Sequence, residues 1–110
     1  MPLTHFGFIA TGPGMRPDIH RSDISVPGYR MTVVCVPTVD EAPQVAKAMA
    51  LDGVELIELC GAFGPAATAA VATAIGPKVA LGVVTYPGAS ATAMHRIFSP
   101  DPPAEARAGS

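Results

Sequence analysis

Apolar residues in this chain gather in four short runs separated by glycine, proline or charge. The runs are Thr4–Ala10 (THFGFIA), Arg30–Val36 (RMTVVCV), Val54–Cys60 (VELIELC) and Val79–Tyr86 (VALGVVTY). Each is rich in β-branched or aromatic residues, and together they predict four strands. Between the last three runs the period changes to that of a helix. Thr38-Val39-Asp40-Glu41 fits a capping box. Ala42, Val45, Ala46 and Met49 then share one helical face, which carries the helix to about Leu51, where Gly53 suits a left-handed close. A second helix opens at Gly64-Pro65, with proline at its first position, and stops at Gly76-Pro77. The predicted order is β-β-α-β-α-β.

Two successive strand–helix–strand units imply parallel pairing through right-handed crossovers. With the last three strands laid side by side in order, both helices fall on one face of the sheet and the other face is bare. Yet Met31, Val33 and Cys35 alternate with Thr32, Val34 and Val36, so the second strand is apolar on both sides, as in sheets covered on both faces. The second helix, Pro65–Ile75, carries no charge and only threonines as polar groups, which reads as burial all round. A partner subunit, or a C-terminal segment of the same chain, has to provide the cover. The expectation is an α/β domain over residues 1–98, with a mostly parallel four-stranded sheet completed by homo-oligomerisation as a dimer or trimer. Residues 11–29 form a long connection rich in glycine, proline and ionisable groups, a length that marks a functional or disordered loop. Ala89–Phe98 reads as a short helix with Met94, Ile97 and Phe98 inward, and 99–110 as a disordered tail.

Composition narrows the picture. A chain of 110 residues allows one core, and with 49% apolar and 15% charged residues it is no disordered polymer. Seven Lys plus Arg against nine Asp plus Glu give no cationic field, which argues against nucleic acid and anionic membrane surfaces as partners. The uncharged run Leu59–Pro77 is broken by glycine and proline and made mostly of alanine and threonine, so it fails as a membrane span. The start lacks the basic segment of a signal peptide. Two cysteines in strand-like runs, without secretory context, suit a reduced, cytoplasmic protein.

In open parallel sheets ligands bind beyond the carboxyl ends of the strands. Alternation puts Glu58 and Cys60 on one face near that mouth. A carboxylate in a strand this apolar must be paired, hydrated in a cavity or partly protonated, and the last condition suits a general acid or base. The alternative is a salt bridge from Glu58 to Arg30 or Arg21. Cys60 leads into a helix start, where a thiolate is favoured, although a cysteine there also serves as small apolar filling. Gly61 and Gly64 let backbone amides approach an anion at that helix end, or simply make a tight turn; Pro65 removes one amide. His20, beside Asp18, Arg21 and Asp23, is a candidate for proton transfer or a solvated loop residue. Tyr86 ends the fourth strand and offers a hydroxyl or packing. His5 and His95 read as structural or surface groups. No spacing of Cys or His suggests a metal site, and no nucleotide-binding or nucleophile-elbow motif is present.

The segments GFIATGPG (Gly7–Gly14), Ile19-His20-Arg21, DGVELIELCGAFGP (Asp52–Pro65) and KVALGVVTY (Lys78–Tyr86) resemble a family of small bacterial proteins catalogued only as a domain of unknown function. The resemblance implies that His20, Glu58, Cys60, Gly61 and Gly64 belong to a common pattern; it brings no activity. The strand–helix–strand part is also similar to a fragment of a (β/α)8 barrel, by fold analogy alone. The function these residues suggest is a cofactor-independent enzyme of lyase, isomerase or cyclase type, acting on a small anionic or carbonyl-bearing metabolite. Glu58 and His20 exchange protons in it, with Cys60 as a further candidate catalytic group. The Gly61–Gly64 amides hold the anion, Arg21 or Arg30 neutralises substrate charge, and Tyr86 faces the same mouth. The competing expectation is a non-catalytic small-ligand-binding or accessory subunit.

Overall fold

The computed structural model describes residues 2–99. Strands β1 (His5–Thr11), β2 (Arg21–Val26), β3 (Tyr29–Val36), β4 (Leu56–Leu59) and β5 (Ala80–Val83) form one sheet in the order β2-β3-β1-β4-β5. Helix α1 (Ala42–Leu51) connects β3 to β4, α2 (Pro65–Ile75) connects β4 to β5, and α3 (Ala91–Phe98) follows β5. The sheet is mixed. β1 runs parallel to both β3 and β4, β4 runs parallel to β5, and β2 is antiparallel to β3.

Two features correct the four-stranded expectation. The segment read as a long loop contains β2, an edge strand whose six residues are all exposed. It turns into β3 through Pro27-Gly28, where Gly28 takes a positive φ of 84° that a side chain rarely adopts. The first strand also takes the central place, between β3 and β4, so that α1 crosses over β1. Successive strands of a (β/α)8 barrel are neighbours, and β3 and β4 are not, which limits that likeness to β4–α2–β5.

Both long helices lie on one face, as the crossover rule requires. The core is confined to that side. Ile9, Val34, Val36, Ile57 and Leu59 share one parity of the pleat and pack with Ala42, Ala46 and Met49 of α1 and Val71 of α2. Met49 rests directly on the β1 backbone at Gly7, where a Cβ would lie 2.9 Å from Val54 Cγ1 and 2.5 Å from the Met49 methyl carbon. The opposite parity carries Phe6, Phe8, Met31, Val33, Cys35 and Leu56, all half-buried and none of them part of the core.

Local signals held unevenly. Gly53 closes α1 with φ 100°, and Gly76 follows α2 with φ 76°. The capping box does not form. Val39–Glu41 makes a turn of 3-10 helix ahead of Pro43, so Thr38 caps that turn with its backbone and makes no side-chain cap bond. Helix α2 spans the expected residues but is not buried all round; only Val71 is. Alanine makes a helix apolar through short side chains that need no cover. The threonine hydroxyls bond back to Gly64 O at 2.8 Å and Ala69 O at 3.1 Å. The final helix exists, but Ile97 and Phe98 are 68% and 72% exposed rather than inward. The tail reading falls on residues 99–110, all of which except Ser99 lie outside the described residues. No helix among the described residues is long and apolar enough to cross a membrane.

Candidate functional site

Glu58 stands in the row Ser22–Val33–Phe8–Glu58–Gly82, which crosses all five strands on the face away from the helices. Gly82 leaves room beside it: a Cβ there would lie 3.8 Å from Glu58 Cγ. Among the described residues its carboxylate has neither hydrogen bond nor ion pair. The salt bridge considered for it is not made. Arg30 instead serves Asp52 at 2.6 Å and Asp23 at 3.3 Å, at the amino end of β3 and away from the mouth.

His20 does not reach Glu58. It leads into β2, and β3 and β1 stand between it and β4, three strand spacings or roughly 14 Å across the sheet. Its ring closes a local turn, with Nδ1 accepting the Arg16 N–H at 2.8 Å, while its carbonyl accepts the Cys35 N–H at 2.9 Å. Arg16 also pairs with Asp18 at 2.9 Å, and that hydrogen bond holds the Asp18 carboxyl below its ordinary value. Arg21 pairs in register with Val34 and so belongs to the helix side, with the sheet between it and Glu58.

The strand-end mouth is also rearranged. Cys60 lies just past β4, where alternation ends. Its side chain packs against the helix-side core, with Thr11 Oγ1 at 3.6 Å from Sγ, rather than beside Glu58. Both cysteines are free thiols. Gly61 is a packing glycine, because a Cβ there would run into the Tyr86 ring and hydroxyl. The space above Gly61 expected for an anion is therefore taken by Tyr86. An apolar cleft of about 220 Å³ remains between Gly61, Ala62, Tyr86, Met94 and Phe98. Gly64 is the N-cap of α2 in ordinary extended geometry, with open space where a Cβ would stand.

A polar string that sequence reading passed over runs across the other face. His5, only 7% exposed, meets Thr32 Oγ1 through Nε2 at 2.8 Å, and Thr32 donates to Asp23 Oδ1 at 2.6 Å. The three residues lie on β1, β3 and β2, and only the strand register brings them together. The Thr32 hydroxyl, with Arg30 assisting, holds the Asp23 carboxyl below its ordinary 3.8. Glu55 plays a similar part at the start of β1. Its Oε1 takes the Thr4 hydroxyl at 2.7 Å and the Thr4 and His5 amides at 2.8 and 3.0 Å, which lowers its carboxyl from 4.5. Among the described residues no three of His, Cys, Asp or Glu gather as metal ligands would.

Residues 4–99 match the model of a family of unknown function (DUF6506), and the chain belongs to that family. No curated protein and no solved structure matches the chain.

Proposed function

We propose that this protein is a cofactor-independent acid/base enzyme of lyase, isomerase or cyclase type, acting on a small anionic or carbonyl-bearing metabolite. It works as a homo-oligomer whose neighbouring subunit covers the apolar sheet face, and Glu58 is its proton-transfer group. The observation that carries this reading is the unpartnered Glu58 carboxylate among Phe8, Leu56 and Gly82. Such a cover would withdraw from water a carboxylate that has no ion pair among the described residues of its own subunit. With no hydrogen bond or ion pair of its own, the carboxylate has its oxygens available to take a proton from next to a carbonyl. His20 has no part in this version, since three strand spacings separate it from Glu58.

The test needs no known product. Wild-type protein and Glu58→Gln are incubated in deuterium oxide with a panel of 2-oxo and 3-oxo acids, and loss of the C–H proton signal is followed by NMR. The expected result is exchange of at least one acid faster than in a protein-free control with the wild type, and at the control rate with the variant. Exchange at equal rates in both, or in neither, overturns the catalytic role. The second reading, a non-catalytic ligand-binding or accessory subunit, is favoured by the separation of His20 from Glu58, and the absence of exchange is its expected outcome.

A further inference from the structure

On the helix side of the sheet, α1 is seated over β1, with Met49 on Gly7, and the helical layer ends before it reaches the edge strand. A groove of about 540 Å³ is left between α1 and the β2–β3 hairpin, within the usual range of small-molecule sites. Val34, Val45, Ala48 and Met49 make it apolar along much of its length.

Its polar groups divide into two sets. Thr32 is committed to His5 and Asp23, and Asp52 to Arg30. Arg21 and Gln44 also line the groove, and neither side chain has a hydrogen bond or ion pair among the described residues. A guanidinium without an ion pair, in the same groove as an amide with no partner, suits a planar anion that takes two parallel hydrogen bonds. The nearby charges limit that anion. Asp52 lines the same groove, and Asp23 is close enough for the Arg21 charge to help lower its carboxyl. A second negative charge on the ligand would face these carboxylates.

We propose that this groove binds a small monocarboxylate with an apolar body. The carboxylate sits on Arg21, Gln44 donates to it, and the body lies against Val34, Val45 and Met49. The site is independent of Glu58, which lies on the opposite face of the sheet.

The experiment is an NMR titration of the isotope-labelled full chain with hexanoate, hexanamide and glutarate. Hexanoate is expected to move the amide signals of Thr32, Val34, Val45 and Ala48 saturably. Hexanamide and glutarate should bind about tenfold more weakly or worse, the loss of a charge-assisted hydrogen bond in the first case and repulsion in the second. Arg21→Gln should weaken hexanoate by a similar factor. Ala48→Phe fills the groove without altering any charge and should abolish binding in a chain whose spectrum remains well dispersed. The proposal fails if hexanoate leaves these signals unmoved up to about 10 mM. It fails equally if hexanoate moves Phe8 and Glu58 instead, or if amide and acid bind alike.

Discussion

The His5 imidazole and the Thr32 hydroxyl are joined at 2.8 Å, and the direction of that bond is fixed by a third residue. Thr32 has one proton, which it gives to the Asp23 carboxylate at 2.6 Å. It therefore accepts from His5, whose proton must sit on Nε2. One hydroxyl thus ties β1, β3 and β2 together from side chain to side chain, and β2, exposed along its whole length, gains an anchor that its own apolar residues do not provide.

Thr32→Val keeps the shape and removes the link. The 7%-exposed His5 and the Asp23 carboxylate each lose a partner, and the expected cost is about 1–3 kcal/mol in urea unfolding. Thr32→Ser should recover most of it. A valine variant as stable as the wild type would show that the string follows from the fold without supporting it.

Acid should loosen the protein from the same place. Asp23 and Glu55 both titrate below their ordinary values of 3.8 and 4.5 in the folded chain, so the native state holds fewer protons than the unfolded one. The stability they supply is complete above those ordinary values and is lost as pH falls through the lower native ones. Urea midpoints measured from pH 7 down to about 2 should drop in that window, and Thr32→Val should flatten the drop. A midpoint independent of pH below the ordinary carboxylate values would contradict this assignment.

Gly7→Ala is expected to be costly despite its small size. The new methyl has Val54 at 2.9 Å and the end of Met49 at 2.5 Å, and overpacking of this kind costs about 1–3 kcal/mol. Met49→Ala on its own leaves a cavity, but combined with Gly7→Ala it should destabilise by less than the sum of the two. Additivity of the two changes in urea unfolding would show that Met49 is not what Gly7 accommodates.

Phe8→Glu tests the cover over the apolar face. Phe8 is half-buried and outside the core, so the folded subunit should survive with its circular dichroism unchanged. Native mass spectrometry should show an oligomer for the wild type and a monomer for the variant. A monomeric wild type would remove the covered chamber from the proposed function.

The parts of the fold legible in the sequence were those whose signal is local. Gly64-Pro65 and Gly76 bracket α2, and Gly53 ends α1, because proline and positive-φ glycine act at a fixed place in the chain. The bare sheet face also followed from two crossovers of one hand. Strand β2 was missed because Arg21, Ser22, Asp23 and Ser25 make a polar segment with no apolar run. The signal available was Pro27-Gly28, a turn dipeptide directly before Tyr29. The central position of β1 has no local signature, since strand order depends on which edges meet. That is why the expected constellation came apart. His20, Arg21 and Arg30 were grouped with Glu58 by nearness to strand ends, whereas strand order moved His20 across the sheet, pleat parity put Arg21 on the other face, and parallel register left Arg30 at the opposite end.

The central place of β1 bears on how the chain can be made and cut. Of the five strands β1 is made first, yet it is flanked by β3 and β4, so its second edge stays open until Leu59 has emerged. Until then a nascent chain exposes Phe6, Phe8 and Ile9 on a strand with an unpaired edge, the kind of surface that chaperones hold and that aggregates recruit. Losing the first dozen residues of the chain would not trim the sheet at its margin. It would divide the sheet into a hairpin and a parallel pair with nothing between them.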